Sequence, residues 1–204
     1  MIAIIDYGVG NLFSLQSSFA MIGQEVTVTS DKTVIQNADR LILPGVGAFG
    51  DARKKLAMHG LDETLLAQAK DGKMIMGICL GMQMLFDKSF EYGEHAGLSL
   101  IPGEVVDMTP RIREGLKVPH IGWNALDLAK PDHPLFRYIK NGDCVYFVHS
   151  YFADKCAADT IATSEYDIPL TAAVAKDNVI GCQFHPEKSG RVGLNLLRAF
   201  CEMK

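Results

Sequence analysis

A cysteine at position 79 stands between Gly77 and Gly81 in "KMIMGICLGMQMLFD", and far downstream "QFHPEKSG" places His185 and Glu187 on either side of Pro186. A thiol, an imidazole and a carboxylate are what nucleophilic acyl transfer requires: an attacking atom, a base that takes its proton, and a group that orients the base. Taken alone, Cys79 reads as readily as a packing cysteine, because free cysteine is among the most buried residue types. Taken alone, "HPE" reads as a strand ending in a turn. The two segments become informative together, and only if the fold brings them to one place.

The elements that would position them are legible. "KMIMGI" (73–78) is an apolar run of the kind found in a strand buried on both faces, and "LGMQMLF" (80–86) continues as a helix. A strand, a tight glycine-flanked turn and a helix make a nucleophile elbow, with small neighbours because the turn is strained and its backbone passes close to other segments. At the start of that helix, free N–H groups and the helix dipole favour thiolate over thiol. "VIGCQF" (179–184) is a second strand leading into His185. If the backbone stays extended beyond it, residues two apart face the same way, so imidazole and carboxylate meet while Pro186 fixes the chain between them.

An acyl-transfer site also needs donors for the oxyanion. "LILPGVGAFG" supplies a strand ending at Pro44 and then a loop in which the backbone at Gly45 and Val46, with the N–H of Leu80, is placed to form them. The same loop could equally be a glycine turn leading to a helix. Of the other histidines, His59, His95 and His133 lie in polar or turn-like segments, and His120 and His149 lie in or near apolar strands as hydrogen-bonded structural residues.

Along the chain, "IAIID" (2–6), "EVTVT" (25–29) and "RLILP" (40–44) are strands, the residues from Asn11 to Ile22 form a helix ending at Gly23, and "LDETLLAQAKDG" (61–72) forms another closed by Gly72. After Asp87 the segments "SLIPGEVVDM", "HIGWNALDL", "CVYFVHSYFA", "TIATSEY", "LTAAVAKD" and "VIGCQFHP" are strand-like, and a helix from about Gly190 to Met203 turns Val192, Leu196, Leu197 and Phe200 to one side. This predicts an α/β fold: a mostly parallel central sheet with flanking helices, plus an additional antiparallel strand-rich region, in a single domain over 1–204.

Composition excludes much. The formal net charge of −4 leaves no basic footprint for nucleic acid. Five scattered cysteines, without a C-x-x-C pair, suit neither a disulfide framework nor a zinc site, so no metal and no cofactor are expected. No apolar run is long enough for a membrane span and the opening "MIAIID" lacks a basic leader, which predicts a cytoplasmic protein with free thiols. Gly8, Gly10 and Asp31 faintly follow a dinucleotide fingerprint, but Phe13 stands where its third glycine belongs.

"PGVGAF", "GICLGMQ" and "QFHPEKSG", in that order and with these separations, resemble the class I, triad-type glutamine amidotransferases. Within them, "IDYGVGN", "PHIGWN" and "YFVHSY" are similar to the glutaminase subunits of imidazole glycerol phosphate synthases, across essentially the whole chain. The resemblance implies that Cys79 attacks the carboxamide of glutamine, that His185 shuttles the proton and that Glu187 holds the imidazole, with a thioester as intermediate. It further implies that Gln83, His149, Ser150 and Tyr151 hold the glutamine, and that Asn11, Trp123 and Lys188 face the partner, a (β/α)8 barrel cyclase in a heterodimer. A solvated lysine and a core tryptophan are the competing readings of Lys188 and Trp123. Every segment of the chain is used by a glutaminase domain, so the ammonia acceptor is expected on that partner. A related subunit serving another synthase, such as one for sugar amination, or a silent regulatory subunit remain the alternatives.

Overall fold

The computed structural model describes residues 1–203. In chain order the first part contains β1 (Ile2–Ile5), α1 (Leu12–Met21), β2 (Val26–Thr29), α2 (Lys32–Asn37), β3 (Arg40–Leu43), α3 (Phe49–Met58), α4 (Leu61–Lys70), β4 (Met74–Ile78) and a one-turn helix α5 (Leu80–Gln83). The second part contains β5 (Lys88–Ser89), β6 (His95–Ala96), β7 (Glu104–Asp107), β8 (His120–Ala125), β9 (Asp127–Leu128), β10 (Cys144–His149), β11 (Tyr151–Asp154), β12 (Thr160–Tyr166), β13 (Ile168–Lys176), β14 (Val179–Cys182) and α6 (Gly190–Glu202).

An eight-stranded sheet runs in the order β2-β1-β3-β4-β14-β13-β12-β9. Its first five strands are parallel, and β13, β12 and β9 extend it antiparallel. Strand alternation sorts the core into two layers. Ala3, Ile5, Leu41, Leu43 and Ile75 face α3 and α4, whereas Ile2, Ile4, Ile42, Met76 and Ile78 face α1 and α6. A four-stranded sheet, β11-β7-β5-β6, and a two-stranded ribbon of β8 and β10 make up the additional strand-rich region. The predicted fold class is therefore observed, with one addition: the second part does not stand apart, because β14 inserts parallel beside β4.

Three local expectations differ. The helix expected over 80–86 is regular only to Gln83: Leu85 N–H donates to Met82 O and Phe86 N–H to Gln83 O, three residues back instead of four, and the free carbonyls of Met84, Leu85 and Phe86 accept from Leu98, Leu100, Ile101 and Ser99 of the 97–101 segment. The run "CVYFVHSYFA" is two strands broken at Ser150, since β10 pairs with β8 while β11 pairs with β7. Asp31 is neither at a nucleotide site nor unstructured. Its Oδ1 accepts from the N–H groups of Thr33 and Val34 as the N-cap of α2, a helix the hydrophobic pattern did not reveal.

Among the described residues, no helix is long and apolar enough to cross a membrane, and no group of three or more His, Cys, Asp or Glu residues could hold a metal ion. All five cysteines are free thiols.

Candidate active site

Parallel strands β4 and β14 are neighbours in register, with Ile78 opposite Cys182. Cys79 is the first residue past β4, and its N–H donates to Cys182 O at 2.8 Å. Three residues past β14, His185 N–H donates to Tyr146 O at 2.9 Å. Two residues more than a hundred positions apart thus emerge at the same carboxyl edge of the sheet, where α/β folds place their ligand sites.

Cys79 adopts φ 54 and ψ −111, a conformation that L-residues rarely hold and that stores strain at functional turns. The glycines around it are sterically required. A Cβ on Gly81 would lie 1.8 Å from Leu43 O, and one on Gly77 would lie 2.6 Å from Gly81 O. The expected helix dipole, by contrast, is reduced to one turn, so the local N–H groups at the start of α5 contribute more than any macrodipole.

His185 Nδ1 lies 2.8 Å from Glu187 Oε1, with both side chains almost fully buried. The intervening backbone is not extended as the sequence suggested. His185 is extended, but Pro186–Lys188 forms a single 3-10 turn that curls the carboxylate back under the ring. A carboxylate can only accept, so Nδ1 carries a hydrogen and Nε2 is left for the thiol. Glu187 Oε2 is buried without a hydrogen-bond partner, which leaves the imidazole as the group that answers its charge. Burial opposes a charged ring at His185, but hydrogen bonds to Cys79 and Glu187 and the charges of both outweigh it and raise its pKa to about 9.

A cavity of about 490 Å³ opens over Cys79 and His185. Its wall includes Val46, Leu80, Gln83, His149, Ser150 and Tyr151, so most of the residues expected around a substrate are brought together. Gly45 is not at the wall. It packs against the elbow from behind, where a Cβ would lie 2.7 Å from Gly81 N, so its role is close backbone approach. Gly47, at φ 91, takes its place beside Val46. Tyr7 Oη donates to Pro44 O at 2.6 Å and anchors the base of this loop.

His149 and Gln83 are less available than the sequence implied. Both ring nitrogens of His149 are engaged, one with Tyr151 O at 2.9 Å and the other with His120 Nδ1 at 3.1 Å. Gln83 Nε2 donates to Tyr151 O and Gln183 Oε1, leaving its own carbonyl oxygen for a ligand. Glu91 was missed altogether: it lies in a polar loop, yet it lines the cavity and its Oε2 accepts from Phe49 N–H at 2.6 Å. Burial raises its pKa against the lowering effect of that bond and of His95. Gln183, to which the sequence assigns no role, is fully buried with its Nε2 3.7 Å from Cys79 Sγ.

Of the residues expected at a partner, Trp123 is 57% exposed, which excludes the core reading, and neighbouring Ile121 is 58% exposed. Lys188 Nζ sits 5.7 Å from the centre of the Tyr146 ring, which meets Trp123 edge-on. Asn11 caps α1, its Oδ1 accepting from Ser14 N–H at 3.3 Å.

A family model described as "Glutamine amidotransferase class-I" matches residues 3–203. The chain belongs to the class-I glutamine amidotransferases. Among curated relatives of this amidotransferase, the "Imidazole glycerol phosphate synthase subunit HisH" of Caldanaerobacter subterraneus subsp. tengcongensis is 49% identical over 204 residues, covering 100% of this chain and 98% of the relative. The protein of the same name from Methanothermobacter thermautotrophicus is 49% identical over 203 residues, covering 100% and 98%. Among solved structures, a "Crystal structure of glutamine amidotransferase" aligns with a TM-score of 0.77 at 18% identity, covering 99% of this chain and 98% of that one. "Structure of PurLQS from Thermotoga maritima" aligns with a TM-score of 0.74 at 19% identity, covering 98% and 96%. These structures share the amidotransferase fold.

Proposed function

We propose that this chain is the glutaminase subunit of an imidazole glycerol phosphate synthase, hydrolysing glutamine to glutamate and ammonia and passing the ammonia to a (β/α)8 barrel cyclase. The observation that carries the reading is the His185–Glu187 pair at 2.8 Å, whose imidazole lines one cavity with Cys79. Full-length identity of 49% to subunits of that name narrows the acceptor.

Cys79 passes its proton to His185 Nε2, and its Sγ attacks the carboxamide carbon of the glutamine side chain. The C–S bond forms, and the oxyanion is received by the backbone at Val46 and Leu80. His185 donates its Nε2 proton to the nitrogen, the C–N bond breaks and ammonia leaves a γ-glutamyl thioester. The imidazole then takes a proton from water, whose oxygen attacks the thioester; the C–S bond breaks, glutamate leaves and the proton returns from His185 to the sulfur. Glu187 holds the ring and compensates its charge throughout. Among the described residues no lysine or arginine lines the cavity. The α-carboxylate of glutamine therefore falls to backbone and hydroxyl donors around Ser150 and Tyr151, and the α-ammonium to the carboxylate of Glu91. Exposed Ile121 and Trp123, with Lys188 beside Tyr146, suit a partner surface close to the cavity. The heterodimer works in the cytoplasm, a reducing compartment that its free thiols suit, and sheltered passage keeps ammonia from being lost as ammonium.

Two measurements follow. With glutamine as substrate, kcat/KM is expected to fall above about pH 9, where the imidazolium that protonates the leaving nitrogen loses its proton. A flat profile through that region would remove His185 from the acid role. Glutamate release by the chain alone is expected to be low and to rise on the order of tenfold or more when the barrel cyclase and its nucleotide ligand are added. Full turnover by the isolated chain would overturn the coupling, and no glutamate under either condition would overturn the glutaminase reading.

A further inference from the structure

A continuous chain of buried and half-buried polar groups runs from β8 to the nucleophile. Asn124 Nδ2 lies 3.4 Å from His120 Nε2, His120 Nδ1 lies 3.1 Å from His149 Nε2, and His149 Nδ1 lies 2.9 Å from Tyr151 O. From the same carbonyl the chain continues through Gln83 Nε2 at 3.1 Å, Gln183 Oε1 at 2.9 Å from that nitrogen, and Gln183 Nε2 at 3.7 Å from Cys79 Sγ.

One atom decides the direction of every bond in it. Tyr151 O can only accept, so the groups facing it are donors: Nδ1–H of His149 on one side and the Nε2 amide of Gln83 on the other. His149 Nε2 is then an acceptor, which makes His120 Nδ1 a donor and leaves His120 Nε2 to accept from Asn124. On the other arm, the amide of Gln83 meets Gln183 nitrogen to oxygen, so the NH2 of Gln183 is turned to the sulfur. No ring tautomer or amide orientation is left free.

We propose that Gln183 holds the Cys79 sulfur in its attacking position by donating an amide hydrogen to the thiolate, and that the His120–His149 pair fixes this amide through Tyr151 and Gln83. A hydrogen bond to an ionised acceptor is stronger than one to a neutral acceptor, so the contact favours the thiolate over the thiol. The proposal rests on the glutaminase reading for its purpose and on geometry for its content. His149 suits the role because burial, before any other influence, lowers its pKa to about 3 and keeps the ring neutral, with its one hydrogen committed to Tyr151 O. The titratable groups around Cys79 are His185 with Glu187 behind it, the Cys182 thiol and the Tyr7 hydroxyl. Burial raises the pKa values of the last two first of all, which leaves His185 as the competing influence on the sulfur. The chain also begins on the strand that carries Trp123. His120, Gly122 and Asn124 face inward on β8 while Ile121 and Trp123 face outward, and His120 is the direct cross-strand partner of His149.

The test is alkylation of Cys79 by iodoacetamide as a function of pH, followed by mass spectrometry of its peptide, in the chain assembled with the cyclase. Gln183→Met is expected to move the profile upward by roughly one pH unit, equivalent to about tenfold less thiolate at a given pH on its acid side. It should lower kcat for glutamate release by roughly tenfold while KM stays within about twofold. His120→Phe, which keeps the aromatic stack with Phe147 and Tyr166, should shift the profile in the same direction by less. An unchanged profile in folded Gln183→Met protein would overturn the proposal. Circular dichroism and thermal unfolding establish folding, and if that variant does not fold, Gln83→Met, which frees the Gln183 amide, is read by the same criterion. Failure of the wild-type complex to release glutamate would instead sink the glutaminase reading and leave the alkylation result standing.

Discussion

Alanine at position 79 is expected to lower glutamate release by at least about 10³-fold while leaving the fold intact, since removing the nucleophile from a concerted triad costs as much as removing the triad. The cavity, the His185–Glu187 bond and the backbone at Val46 and Leu80 do not depend on the sulfur, so glutamine should still bind. The same subunit, assembled with its cyclase, should support synthesis from added ammonium salt, because the acceptor chemistry belongs to the partner. Glutamate release and ammonium-dependent synthesis, measured on one preparation, separate loss of chemistry from loss of structure. Glutamate formation at the wild-type rate would overturn the assignment of Cys79. A glycine variant adds a second readout. At φ 54 and ψ −111 a side chain is strained, so Cys79→Gly should be as inactive as Cys79→Ala but more stable by about 1 kcal/mol. Equal stability of the two variants would mean that the elbow relaxes without its side chain.

Gly81→Ala should destabilise the protein by at least about 3 kcal/mol, or prevent folding, although it adds a single methyl group. The new Cβ would lie 1.8 Å from Leu43 O, 2.8 Å from Leu43 C and 3.2 Å from Pro44 C, all backbone atoms at the end of a central strand. Relief requires moving β3 away from the elbow, which would carry the Val46 loop with it. A useful comparison is Gly23→Ala, where φ is 73 but nothing lies within 4 Å. That change carries only the cost of the backbone conformation, about 1 kcal/mol. Denaturant unfolding of both variants provides the measurement. Similar midpoints for the two would show that the approach at Gly81 is not tight in solution.

Much of this is legible in the sequence. The parallel strands announced themselves as short apolar runs, because a strand buried on both faces has no polar side to alternate with. The elbow was readable because glycine on both sides of a cysteine has few structural uses other than a tight strand-to-helix turn. What escaped notice was set by partners distant in sequence. The helix to which the glycine loop could lead is α3, but it opens at Ala48 without a side-chain cap and its first N–H is met by Glu91 from another loop, so no local capping signal fixed its start. The helix after Cys79 tightens after one turn into bonds three residues back, and its last carbonyls find their donors in the distant 97–101 segment. Glu91 itself, in "FEYGEH", looked like any exposed carboxylate, since only the fold turns it into the cavity.

The division between the two sources of information is clearest at the site. Residue types and their local spacing determined that a thiol sits on a strained turn, that an imidazole and a carboxylate stand two residues apart, and that glycine-rich backbone lies near a strand end. Those are properties of short segments, which carry their own conformational preferences and reactive groups. The tertiary structure alone decided that β14 would insert beside β4, bringing His185 to Cys79. It also decided that Pro186–Lys188 would turn rather than extend, and that Tyr151 O would orient two histidines and two glutamines. Each of these depends on which backbone groups meet across the sheet, and an acceptor with no partner in its own segment takes its donors from wherever packing brings them.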